Sequence, residues 1–306
     1  MLEIGVQPNI WFDWNDIDAS FARAKKLGFE TIDLGFPQVS QEDFENEASY
    51  YQKTSYEALV KRYHLFRETS VKYGVAISQA HSHFPLWIED ASDAYNEYMI
   101  TVLHMLCKFC DIMDCRTLVV HPVTRDNKAD EWNTNMELYR AIMPTALKTN
   151  VKICLENMFS SKTGRIVAGV CADAEEVVRY IDTLNAEAGT EIFGFCFDVG
   201  HANLINKNIR NYINTLGHRL TILHIHENDG QNDLHLAPYT QARFTKTCAN
   251  ALDWEGFILG LKDIGYRGTL SFETFRVITM TPEPLHDAAL SYILEVGKYF
   301  KARILE

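Results

Sequence analysis

Six successive apolar, β-rich runs each carry, near their C-terminal ends, a Glu, Asp or His able to bind a metal. These residues are His81, His121, Glu156, Asp198 with His201, His226 and Glu273. One such residue would mean little, because a single histidine in a strand is usually a hydrogen-bonded core residue. Six in series describe a ring of ligands around the mouth of a closed barrel, which is where a (β/α)₈ barrel keeps its chemistry. A charged residue inside a β-rich run must be paired, hydrogen-bonded or metal-bound, since burying it alone is expensive.

The runs themselves support that reading. Strands are expected at Leu2–Gln7, Thr31–Phe36, Ala76–Phe84, Thr117–Val123, Val151–Met158, Phe193–Val199, Thr221–Glu227 and Thr269–Phe275. Helical patterns fall between them at Ile17–Leu27, Tyr56–Tyr73, Asp93–Met113, Asn135–Thr149, Ala174–Leu184 and Trp254–Ile264, and Leu285–Ile304 closes the chain. Parallel strands joined by helices give either an open doubly wound sheet or a barrel. An open sheet favours a Gly-rich phosphate loop after its first strand, and Val6-Gln-Pro-Asn-Ile-Trp has none. With eight units and no linker-like break, residues 1–306 are expected to form a single α/β domain, one (β/α)₈ barrel.

Two long polar connections are candidate lids. Val39–Lys53 carries the acids Glu42, Asp43, Glu45 and Glu47, and Asp229–Asn250 contains Asp233-Leu-His235. The seven cysteines lie mostly within helix or strand patterns, and the Cys107/Cys110 pair shares a helix face, which reads as core packing in a reducing cytoplasm. The start Met1-Leu-Glu-Ile-Gly-Val lacks secretory-signal features, and no apolar run is long enough to suggest a membrane span. A net charge of −12 argues against a polyanion partner, so DNA is not expected. A homo-oligomer is compatible with the sequence.

Glu156, Asp198, His226 and Glu273 together offer three carboxylates and one imidazole. That mixed oxygen and nitrogen set suits Mn²⁺, Zn²⁺, Co²⁺ or Mg²⁺, with one ion expected. In His224-Ile-His226 both side chains point to one side of the strand. The outer His226 is assigned as ligand and His224 to a deeper position. His83, beside His81, is expected to touch substrate, and Lys162 and Arg165 are candidates for a sugar or DNA phosphate.

Leu155–Asn157, Phe197–His201, His224–Asp229, Asp233–His235 and Phe272–Thr274 read LEN, FDVGH, HIHEND, DLH and FET. In this order they resemble the xylose isomerase-like barrel superfamily, which includes sugar and sugar-phosphate isomerases and epimerases and also endonuclease IV. The resemblance implies that Glu156, Asp198, His226 and Glu273 hold the metal shared across the epimerases, with the two Glu as the proton-transfer pair. It implies that His81, His121, His201, Asp233 and His235 match the positions completing the three-zinc cluster of endonuclease IV. In the tagatose 3-epimerase-like branch two further positions are Glu and Arg, where this chain has Lys162 and Asn232.

The expected activity is a metal-dependent isomerase or epimerase of a small keto-sugar or sugar phosphate, working by proton transfer through a metal-stabilised enediolate. Its partner is a small carbohydrate contacted by His81, His83, His201, Lys162 and Arg165. The alternatives are an endonuclease IV-like zinc phosphodiesterase acting at abasic DNA sites and a dehydratase of a polyol or inosose.

Overall fold

The computed structural model describes residues 2–161, 164–241 and 251–306. Eight parallel strands, β1 (Glu3–Val6), β2 (Thr31–Gly35), β3 (Ala76–His81), β4 (Thr117–Val119), β5 (Lys152–Glu156), β6 (Phe193–Asp198), β7 (Leu220–His224) and β8 (Thr269–Phe272), run in sequential order around the sheet. β1 pairs with β8 from Glu3↔Thr269 to Val6↔Phe272. Just beyond β7, the Ile225 amide donates to Ser271 O (2.9 Å) and Ile225 O accepts from the Glu273 amide (3.1 Å), which completes the ring.

Among the described residues, eight longer helices surround the barrel: α1 (Ile17–Leu27), α2 (Tyr56–Tyr73), α3 (Asp93–Met113), α4 (Lys128–Thr149), α5 (Ala174–Ala188), α6 (Ile209–Leu216), α7 (Trp254–Asp263) and α8 (His286–Leu305). The first seven each start at an Asp, Ser or Asn whose side chain accepts an amide of the first turn. Such caps satisfy donors that the helix itself cannot.

Strand alternation decides what faces inward. Val119, Cys154, Cys196 and Ile222 form a small buried cluster separate from the large apolar core under the helices. Each lies two residues before His121, Glu156, Asp198 or His224. The strand period of two therefore carries the inner face from an apolar layer to a polar mouth.

Several boundaries differ from the sequence reading. The fourth strand ends at Val119, and by Val123 the main chain is instead held by Asn135, whose side chain pairs with Val123 N and Val123 O. α4 begins seven residues earlier than expected, where Asn127 Oδ1 caps Ala129 and Asp130. α6 was not among the expected helices, although its buried Ile209, Tyr212, Ile213 and Leu216 have helical spacing. The acidic connection after β2 folds into two short helices, Gln41–Glu45 and Tyr50–Lys53, and keeps Glu42, Asp43, Glu45 and Glu47 exposed. The Asp229–Asn250 connection is described to residue 241, and 242–250 lie outside the described residues. Cys107 and Cys110 are buried and unpaired within α3, as core residues. Among the described residues, no helix is long and apolar enough to cross a membrane.

α8 covers the seam between the first and last strands. A Cβ at Gly297 would lie 2.6 Å from Ile4 Cγ2, so glycine lets this helix sit tightly over β1. Fully buried Phe300 packs against Trp254, Phe257 and Phe272. Phe300→Ala should cost roughly 3–5 kcal/mol, as for other buried Phe truncations. Urea unfolding checks this, and a loss below about 1 kcal/mol would mean that α8 does not hold the seam.

Candidate metal centre and active site

The strand ends deliver the expected residues to one place. His81 and Glu156 terminate their strands, Asp198 terminates β6 and caps the short helix Val199–Leu204, and Glu273 directly follows β8. Asp233 and His235 arrive on the loop after β7, which is clamped back by paired main-chain hydrogen bonds between Glu227 and Leu236 (2.7 and 3.0 Å). The buried Glu227 carboxylate strengthens that clamp by accepting from Trp254 Nε1 (2.7 Å) and the Tyr239 amide (3.1 Å).

Donor atoms converge in overlapping groups. Glu156 Oε2 lies 2.9 Å from His121 Nε2, which lies 2.9 Å from His81 Nε2. Asp198 straddles His226 Nε2 at 3.0 and 3.1 Å. Asp233 Oδ2 lies 2.9 Å from His235 Nε2 and 3.6 Å from His201 Nε2. His224, fully buried beneath, places Nδ1 3.3 Å from Glu156, 3.4 Å from Glu273 and 3.9 Å from Asp198, with Nε2 3.3 Å from Asp33. Glu156, Asp198, His226 and Glu273 thus belong to linked triads rather than to one tight group. The triads include Asp198–His201–His226, Asp198–His224–Glu273 and His226–Asp233–His235.

Whether these residues fit a cation can be judged from their hydrogen bonds. His81, His201 and His235 each direct Nδ1 at a main-chain carbonyl, those of Ser82 (2.8 Å), Asn157 (2.8 Å) and Glu273 (3.1 Å). A carbonyl only accepts, so Nδ1 carries the proton and Nε2 is presented to the cleft, the arrangement by which proteins orient metal-binding histidines. Among the described residues no hydrogen-bond partner reaches the buried Asp233 Oδ1, and two Nε2 atoms at 2.9 Å need a proton or cation between them. The donors fit a divalent ion.

Electrostatics agree. Burial alone would raise Glu156, but His224 and His121 reverse this and hold it well below the carboxylate range. Burial likewise opposes the ionised forms of Asp198, Glu273 and Asp233, and neighbouring imidazoles outweigh it in each case. In return, and against burial, Asp198 and Asp233 raise His201 to about 10, and Glu273 and Asp233 raise His235 to about 9. The carboxylates remain charged, and the protons that His201 and His235 hold among them are the positive charge that a bound divalent ion would replace.

Above this floor is a cleft of about 1130 Å³, lined by His81, His121, Glu156, His201, Asp233, His235 and Glu273. Asp198, His224 and His226 lie below it, fully buried. His83, expected at the substrate, is a correction: it is fully buried off the cleft, and burial pushes its pKa down to about 4. Arg165 is exposed beside the hairpin formed by Phe159–Ser160 and Val167–Ala168 and does not line the cleft, while Lys162 lies outside the described residues.

Sequence reasoning missed Gln7, whose Nε2 donates to Glu273 Oε1 (2.8 Å), and Asp33, which backs His224 and accepts from Gln79 Nε2 (2.9 Å). A buried acid within a β-rich run was the available signal for Asp33. Phe159 and Phe275, which pack against His201 (5.1 Å) and His235 (4.4 Å), gave no comparable signal.

Residues 21–296 match the family model described as xylose isomerase-like TIM barrel. An uncharacterised protein of Sinorhizobium fredii is 29% identical over 128 residues, which are 42% of this chain and 35% of that protein. The chain spans between about a third and a half of the length of the curated relatives it matches. Among solved structures, a D-tagatose 3-epimerase-like protein superposes with TM-score 0.70 at 18% identity, covering 99% of this chain and 98% of that one. A D-psicose 3-epimerase gives 0.69 at 15%, covering 98% and 99%.

Gly200 provides a probe of the floor. A Cβ there would fall 2.0 Å from His226 Cε1, so the imidazole occupies space that only glycine leaves open. Gly200→Ala should displace the ring and weaken Mn²⁺ or Zn²⁺ binding by roughly 10–100-fold, the usual effect of disturbing a ligand's support. Calorimetric titration that finds unchanged affinity would remove His226 from the ligand set.

Proposed function

We propose, from the premise that this chain belongs to the xylose isomerase-like TIM-barrel family, that it is a divalent-metal-dependent isomerase or epimerase of a small keto-sugar. The observation that carries this reading is the placement of two buried carboxylates, Glu156 and Glu273, both within 3.4 Å of His224 Nδ1 at the bottom of one cleft. The solved structures of sugar epimerases that share its fold are consistent with it.

An ion held by Glu156, Asp198, His226 and Glu273, whether Mn²⁺, Zn²⁺, Co²⁺ or Mg²⁺, would supply Lewis acidity toward a substrate carbonyl and its neighbouring hydroxyl. One glutamate, kept ionised by its imidazole neighbours, takes the proton from the carbon that bears that hydroxyl, next to the carbonyl. The other delivers a proton to the adjacent carbon, giving an isomer, or to the opposite face, giving an epimer. Gln7 donates to Oε1 of Glu273 and so fixes the carboxylate with Oε2 toward His224 and His235. His81, His121 and His201 present ring nitrogens to substrate oxygens, and Phe84, packed on His121 at 4.7 Å, closes the rim.

Glu156→Gln or Glu273→Gln should lower turnover by about 10²–10⁴-fold with the fold intact. In D₂O the product should carry deuterium at a carbon next to the carbonyl. Conversion of a true substrate without solvent exchange would indicate hydride migration and overturn the two-glutamate mechanism.

A second reading, a multi-zinc phosphodiesterase acting at abasic sites, draws on the triads His81–His121–Glu156 and His226–Asp233–His235. The exposed acids of Gln41–Glu47 oppose a duplex phosphate backbone. Anomalous scattering from zinc-soaked crystals should reveal a second ion at these triads, together with no efficient incision of an abasic duplex at low salt. A single zinc peak at saturation removes the cluster, and robust metal-dependent cleavage would promote the nuclease.

A further inference from the structure

The cleft does not end at the metal-binding floor. It extends under the loops after β1 and β2 to a second wall formed by Trp14, Tyr50 and Arg62, with the amides Asn9, Asn15 and Gln38 beside them. None of these residues reaches the carboxylate and imidazole cluster. The arm is nonetheless built rather than incidental. Arg62 donates from one terminal nitrogen to Tyr50 Oη (3.1 Å) and from the other to the Trp14 carbonyl, and its guanidinium lies over both rings at 5.6 and 6.0 Å. One side chain from α2 thereby fixes two aromatic rings from separate loops. Gly35 leaves the space in which the Asn9 amide rests, since a Cβ there would lie 2.8 Å from Asn9 Oδ1. Gln38 is fixed too, donating to Phe36 O (3.1 Å) and accepting from the Phe84 amide (2.7 Å).

The chemistry of this arm is specific. Rigid aromatic rings offer large apolar faces with little entropy to lose, and carboxamides both donate to and accept from hydroxyls. Together they suit a hydroxyl-rich ring with an apolar C–H face. Near the floor a first set of aromatics, Phe84, Phe159 and Phe275, packs against His121, His201 and His235 and lines the cleft there. The cleft volume of about 1130 Å³ lies above the ~300–1,000 Å³ range of clefts that bury drug-sized ligands. A single hexose is smaller than those ligands.

We propose that the Trp14–Tyr50–Arg62 arm is a second carbohydrate subsite, which takes the non-reacting sugar of a glycoside or disaccharide whose reacting sugar lies over Glu156 and Glu273. This rests on the carbohydrate reading of the same cleft and narrows the substrate class to two-part sugars.

The test is calorimetric binding to the full chain loaded with Mn²⁺, using maltose, cellobiose, sucrose and trehalose against glucose and fructose as probes. At least one disaccharide should bind about tenfold tighter or more than either monosaccharide, a difference of roughly 1.4 kcal/mol. Trp14→Ala and Asn15→Ala should abolish that advantage and leave monosaccharide affinity unchanged. Trp14 also packs against Phe66 (5.2 Å), so the exposed Asn15 keeps the test decisive if the tryptophan variant does not fold. No disaccharide advantage, or one that survives both substitutions, overturns the subsite. Binding does not require turnover, so a failure of the isomerase reading, seen as no deuterium exchange into any sugar, is read separately.

Discussion

Gathering four carboxylates at one end of a barrel is tolerable only because imidazoles are gathered with them. Glu156, Asp198 and Glu273 are almost wholly buried, and an unpaired carboxylate at such depth costs several kcal/mol. Each is held in its ionised form by histidines rather than by solvent, His224 and His121 for Glu156, His201 and His226 for Asp198, and His224 and His235 for Glu273. No member of the group is independently placed. Removing one leaves a neighbour buried without its partner, so the site is a single electrostatic unit and its parts will not behave additively.

That unit depends on barrel closure. Glu273 and His226 flank the hydrogen bonds that Ile225 makes to Ser271 and Glu273, which join the seventh and eighth strands. The seam on the other side of β8 is sealed by α8, lying close over Ile4 and Phe272 because Gly297 has no side chain. The residues that close the ring and the residues that face the cleft are therefore neighbours in sequence. Loop geometry completes the arrangement, because the Glu227–Leu236 pairing brings Asp233 and His235 over the floor.

Much of this was legible in the sequence. Buried charge within a β-rich run has one physical meaning, and at Glu156, Asp198, His226 and Glu273 the signal coincided with strand ends. The same signal stood at Asp33 but was passed over, because that residue lies mid-strand rather than at the mouth. Gln7 was hidden because an uncharged amide in a strand costs less to bury and so stands out less. His83 was misplaced because the strand-period argument was extended past His81, where the strand ends and the next histidine is buried off the cleft. The short α6, with a buried stripe at Ile209, Tyr212, Ile213 and Leu216, was masked by its brevity and the polar Asn206–Asn208 before it.

The distances add what spacing alone could not, namely which ring nitrogen each histidine offers. His81, His201 and His235 come from three different segments, yet each gives Nδ1–H to a carbonyl one or more residues removed along the wall of the mouth. A core histidine satisfied for packing alone has no reason to repeat that choice three times. Repetition of that one hydrogen bond leaves Nε2 of each ring turned toward Asp233 or His121. The strand ends of a barrel allow this, because its parallel strands all finish at one face. The fold thus orients the ligands through its main chain, and the side chains of the cleft are left to distinguish one sugar from another.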